Sequence, residues 1–129
     1  MRKSWLRKKK KERAAIYGTY EIEQGVPRNP IDPVHEIARC KDYCSQHGYR
    51  VIFTQLSLEH KQETAQNESL EFRRLLQAIE RDELDLVLFI DYAWVSRKPE
   101  QVERLLSSAQ AHQTTLIDVN RQQVIFQSL

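Results

Sequence analysis

The sequence predicts a three-layer α/β/α fold around a mainly parallel sheet of four to five strands. Three observations carry this expectation. Short runs rich in β-branched and aromatic residues alternate with amphipathic helical stretches in the order β-α-β-α-β-α-β. The connections are long enough for crossovers, which place helices on both faces of a parallel sheet. The run 84–90 is apolar except for Asp85, as suits a strand covered on both sides.

Each element has a local reason. Residues 14–20 are apolar and β-favouring and predict the first strand. Residues 21–32 contain Gly25, Pro27 and Pro30 and predict a loop. Asp32 and Pro33 then read as N-cap and first position of a helix, and Glu36 suits its positive start. Val34, Ile37, Ala38, Cys40 and Cys44 are its expected apolar stripe. Gly48 suits a left-handed C-cap. Residues 49–56 predict the second strand, and polar residues 57–67 a loop. The second helix is expected over 68–81, with Phe72, Leu75, Leu76 and Ile79 on one face. The third strand follows at 84–90 and a loop at 91–98. Pro99 opens a third helix with a stripe of Val102, Leu105, Leu106 and Ala109. Residues 114–119 predict a fourth strand and 124–126 a short fifth.

The chain has 129 residues, the usual size of one domain, with 40% hydrophobic and 29% charged residues. That mix can build a core and excludes a disordered composition. The net charge of +2 conceals an asymmetry. Residues 1–13 hold Arg2, Lys3, Arg7, Lys8, Lys9, Lys10, Lys11 and Arg13 against Glu12 alone, a net charge of +7, so residues 14–129 carry −5. The expected organisation is a basic arm over 1–13 and an α/β domain over 14–129. Polyanions are the natural partners of such an arm, because binding releases condensed counterions. DNA is the expected partner, with Trp5 available for stacking. An anionic membrane surface and a solvated tail also fit the composition.

Cys40 and Cys44 lie four apart in a helix and are expected as reduced core thiols. His35, His47, His60 and His112 are scattered and read as surface residues, so neither a metal nor a cofactor is implied. The sequence has no apolar run long enough to span a membrane and no stretch of signal-peptide type. The expected location is the cytoplasm, with the nucleoid as a possible association.

In an open parallel sheet, functional groups gather beyond the carboxyl ends of the strands. Residues 19–23, 55–57 and 91–97 fall there. Thr19 and Glu21 are two apart on a strand, the spacing of a hydroxyl and a base, although both also suit plain strand-end polarity. Asp85 and Asp91 flank the third strand and read as solvated ends. Ser96 suits a turn before Pro99, and Arg97 suits either an anion or a salt bridge. Trp94 suits either stacking on a base or packing over the edge.

These segments carry a resemblance. The run Ala15-Ile16-Tyr17-Gly18-Thr19-Tyr20-Glu21 resembles the first strand of the serine recombinase (resolvase/invertase) catalytic domain, which reads Ala-Ile-Tyr-Ala-Arg-Val-Ser. The stretch from Glu68 to Leu76 is similar to that family's Arg-Pro-Gly-Leu-Gln-Arg-Leu-Leu helix. Residues 83–89 are similar to its acidic turn and buried strand. Ala93-Trp94-Val95-Ser96-Arg97 falls where the family has Asp-Arg-Leu-Ser-Arg. The resemblance covers roughly residues 14–119. It implies attack of a serine hydroxyl on a DNA phosphodiester, with arginines neutralising the phosphate. The family's serine falls on Glu21, the arginine before it on Thr19, and the arginine opening the second helix near Ser69. Its Asp-Arg pair falls on Ala93 and Trp94, and Arg97 matches one active-site arginine.

The expectation is therefore a resolvase-like domain acting in DNA recombination as a non-catalytic nucleic-acid-binding or regulatory module. The alternatives are an adaptor that pairs with an intact recombinase and a strand-transfer enzyme with a non-standard site. The family's dimerising helix and DNA-reading region would come after Leu129, which fits an adaptor or a remnant of a mobile element.

Overall fold

The strand on which the sheet assembles is β1 (Glu12–Glu23). β2 (Val26–Pro27) folds back on its end, antiparallel. β3 (Tyr49–His60) runs parallel to β1 along one edge, from Glu12↔Tyr49 to Ile22↔His60. β4 (Leu86–Phe89) pairs with the other edge, from Ala14↔Leu86 to Tyr17↔Phe89. Outside it lie β5 (Thr115–Asp118), parallel, and β6 (Gln123–Phe126), antiparallel. The computed structural model describes residues 11–23, 26–27, 32–60, 69–92 and 98–127, and of 21–23, 26–27, 33 and 58–60 the backbone alone.

The helices are α1 (Pro33–His47), α2 (Leu70–Glu80) and α3 (Pro99–His112). Strand alternation divides the core between them. Ala14, Ile16 and Tyr20 of β1 and Leu86 and Leu88 of β4 pack with Cys40 and Cys44 of α1. Ala15, Tyr17, Val87 and Phe89 point to the other face and pack with Phe72, Leu75, Leu76 and Ile79 of α2 and Leu105 and Ala109 of α3. Each large apolar side chain so buried contributes about 1.5–3 kcal/mol. β4 is buried on both faces, as its unbroken apolar run predicts. The chain winds outward to β3 first and then back across to β4. The reversal makes a topological switch point between β1 and β4, and its crevice opens at their carboxyl ends.

The caps form as expected. Asp32 Oδ1 accepts from the Val34 amide at 3.0 Å, and Gly48 takes φ 72° at the end of α1. Both cysteines are buried and free.

Several expectations are corrected. The first strand begins at Glu12 and runs to Glu23, and β3 continues to His60 through residues expected to be loop. Mutual backbone pairing of β1 and β3 extends both strands beyond their apolar runs. Val34 of the predicted α1 stripe is 76% exposed, and Ala38 is exposed too. At about 100° per residue, Ala38 lies on the far side of the helix from Cys40, and Cys40 and Cys44 decide which side faces the sheet. Asp85 is buried instead of solvated. It accepts from the Arg13 backbone amide at 2.7 Å and from Arg13 Nε at 3.1 Å. Arg13 is thus built into the sheet, and the described part of the arm is Lys11, which is exposed.

Candidate functional site

β1 places Tyr17 and Thr19 on one face of the sheet at the switch point. Tyr17 is 1% exposed, with its ring edge-on to Phe72 at 6.2 Å and to Phe89 at 6.1 Å. Its hydroxyl hydrogen-bonds with the side chains of Ser69, Thr19 and Ser57. Burial pushes the Tyr17 pKa up, and the three hydroxyls pull against that shift.

The local folding explains the cluster. Ser57 faces Thr19 in the β1–β3 register. Ser69 is the N-cap of α2, and its Oγ accepts from the Phe72 amide at 3.1 Å. Two strand ends and a helix start therefore converge on one phenol. Thr19 and Ser69 were expected here, and Ser57 was expected at this edge as the end of segment 55–57; Tyr17 as the hub was not. The pairing register sets Ser57 opposite Thr19 within a strand, where residues 57–67 were expected to be a polar loop.

The opposite face of the same edge is acidic. Tyr20 is 1% exposed, and its hydroxyl has no partner among the described residues. Burial, and then the negative charge of Glu36, pushes its pKa to about 12. Glu36 is itself buried and holds Arg39 at 3.1 Å. Asp91, expected to be a solvated strand end, holds Arg121 at 2.8 Å, and Asp118 holds the same guanidinium at 2.9 Å. Arg121 comes from the β5–β6 turn and was not foreseen; its i,i+3 spacing from Asp118 is the signal that could have found it.

Glu21 lies in β1 opposite Glu59, so two acids occupy facing register positions. Its side chain lies outside the described residues, as do Ala93, Trp94, Ser96 and Arg97 and the arm residues Arg2, Lys3, Trp5, Arg7, Lys8, Lys9 and Lys10. Among the described residues no group of three or more His, Cys, Asp or Glu side chains could hold a metal. His35 and His47 are exposed, and His112 Nδ1 is 3.0 Å from Asp82 Oδ1.

Chemically, the described edge offers neutral hydroxyls bonded to one another. Thr19 is engaged by a phenol, and Arg39 and Arg121 are held by carboxylates. This arrangement can hydrogen-bond a polar group, but it does not concentrate positive charge.

Comparison with solved structures defines the fold. The N-terminal catalytic domain of TP901-1 integrase superposes with a TM-score of 0.66 at 18% identity, over 88% of this chain and 81% of that one. A resolvase family site-specific recombinase from Streptococcus pneumoniae gives 0.62 at 16% identity, over 87% and 76%. The C-terminal catalytic domain of ISC1926 TnpA, an IS607-like serine recombinase, gives 0.60 at 20% identity, over 83% and 69%. The chain therefore has the fold of serine recombinase catalytic domains and is resolvase-like in architecture. No protein-family model and no curated protein matches the sequence.

Proposed function

We propose that this resolvase-like domain acts in site-specific DNA recombination or its control as a nucleic-acid-binding or regulatory module that does not cut DNA. The hydroxyl network carries the reading. At the strand end where the resemblance puts a nucleophilic serine and arginines, this chain has Glu21, Thr19 and Ser69. The Tyr17 phenol holds Thr19 and Ser69 together with Ser57. Phosphoryl transfer by a hydroxyl needs a nucleophile free to attack and cations to neutralise the phosphate. Each electrostatic donor lost costs on the order of 10²–10³ in rate. A glutamate at the attacking position, in register with Glu59, adds repulsion between like charges.

DNA affinity on this reading comes from the arm, with seven basic residues in 1–11 ahead of β1. The test incubates the protein with supercoiled and linear DNA over a range of salt. Affinity is expected to fall steeply as salt rises, and to vanish when residues 1–10 are deleted, which spares β1. No nicking and no covalent protein–DNA adduct are expected. An adduct overturns the non-catalytic assignment; affinity that survives the deletion unchanged overturns the role of the arm.

A further inference from the structure

One edge of the sheet is open. β3 pairs with β1 on one side, and no strand lies on its other side among the described residues. Its 12 residues make a long edge, since strands commonly run to about 5–6. Such an edge offers a row of N–H and C=O groups to any chain that matches it, unless proline, added charge or a bulge blunts it. β3 has no proline. Its one register irregularity passes over Ile52, between Val51 opposite Ala14 and Phe53 opposite Ala15. Ile52 is 40% exposed, and Val51, Phe53 and Leu56 are only half-buried, whereas residues 14–17 of β1 beside them are fully covered.

The strand reads as its own complement. A two-fold axis normal to the sheet pairs two β3 edges antiparallel and keeps each face of the sheet with itself, so residues directly opposite must come from the same face. Val51 packs on the α1 side and Phe53 on the α2 side, so the alternation reverses at Ile52. With the axis beside Gln55, Phe53 meets Ser57, and Ile52 is passed over as it is against β1. Val51 and Arg50 then meet Leu58 and Glu59. An apolar position lies opposite an apolar one, and the exposed Arg50 opposite an acid, each twice by symmetry. One step either way loses this match. An axis at Thr54 sets Arg50 opposite Ser57, and one at Leu56 sets Phe53 opposite Glu59.

We propose that the open edge of β3 pairs with the same edge of a second copy of this chain, antiparallel about an axis at Gln55, and continues the sheet across the dimer. The strand itself selects the occupant, because the charge that Arg50 places on the edge finds its counterpart at Glu59 of the second copy. The backbone groups of the two edges satisfy one another, and the half-buried apolar side chains along them are covered. Neither the arm nor DNA takes part.

The test is sedimentation equilibrium of the full chain, free of DNA, over a range of concentration. A monomer–dimer equilibrium is expected. Arg50→Glu sets like charges opposite each other at both ends of the pairing and is expected to raise the dimer dissociation constant roughly tenfold, as is Glu59→Arg. The double exchange, Arg50→Glu with Glu59→Arg, opposes the charges again and is expected to dimerise as the parent does. Circular dichroism checks that each variant is folded. A second measurement locates the axis. Gln55→Cys puts a thiol where the strand meets itself and is expected to give a disulfide-linked dimer with oxidised glutathione, whereas Arg74→Cys on the exposed side of α2 is not; Cys40 and Cys44 are buried. A dimer that both single exchanges leave unchanged, or a double exchange no better than the single ones, overturns the proposal. A chain that is monomeric throughout also overturns it and leaves the edge to a strand of another protein.

Discussion

Two residues of β1 show how closely this edge is fitted. A Cβ added at Gly18 would lie 2.7 Å from Ile90 Cδ1 and 3.2 Å from Leu56 Cδ2. The glycine is needed for close approach, and its φ is not in the left-handed region. Gly18→Ala is expected to cost about 1–3 kcal/mol, as overpacking does, read as a lower midpoint in urea denaturation. Two positions on, Tyr20 buries a hydroxyl with no partner among the described residues. Leaving such a group unsatisfied costs about 1–3 kcal/mol. Tyr20→Phe keeps the ring and is expected to raise stability by up to about 1 kcal/mol. A clear loss of stability in that variant would mean that the hydroxyl has a bonding role.

At the scale of elements, α2 is tied to the site through its first residue. Ser69 satisfies the Phe72 amide and bonds the Tyr17 hydroxyl. Ser69→Ala removes both and is expected to cost about 1–2 kcal/mol, more than an isolated cap on a surface helix. Ser69→Thr keeps the oxygen and is expected to recover most of the loss in thermal melts. Equal stability of Ser69→Ala and the parent would separate the helix start from the cluster. The same bond explains why the candidate site was half legible. Thr19 and Ser69 were visible because they fall on positions of a known pattern. Ser57 was placed at this edge, but its strand pairing was hidden, because polar residues become strand only when a partner strand supplies their hydrogen bonds.

Across the whole molecule, the groups buried under α1 set the response to alkali. Burial pushes the Cys40 thiol from 9.0 to about 12 and the Tyr20 phenol from 10.0 to about 12. Cys44, Tyr17, Tyr49 and Tyr92 are shifted in the same direction, each mainly by burial. These groups are neutral when protonated. Above their unfolded pKa values, the unfolded chain loses these protons while the folded chain keeps them, so rising pH favours unfolding. Their contribution is fully present below about pH 9 and is lost progressively as pH climbs toward about 12. Urea denaturation measured across that window is expected to show a steep fall. A flat profile would mean that water reaches the α1 side of the core.

Local chemistry in the sequence was enough for much of the architecture. The apolar run around β4 predicts a strand buried on both sides, and the N-cap and left-handed C-cap of α1 follow from Asp32, Pro33 and Gly48. The α2 stripe of Phe72, Leu75, Leu76 and Ile79 is buried as expected. These features depend on neighbours within a few residues along the chain. Tertiary structure decided what depends on distant partners. It turned Arg13 from an arm residue into the partner of Asp85, joined Asp91 to Arg121, and gathered Ser57 and Ser69 around Tyr17. The physical reason is the same in each case. A charge or hydroxyl carries no signal of its own partner in a linear chain, and sheet register and burial supply that partner only when the strands pair.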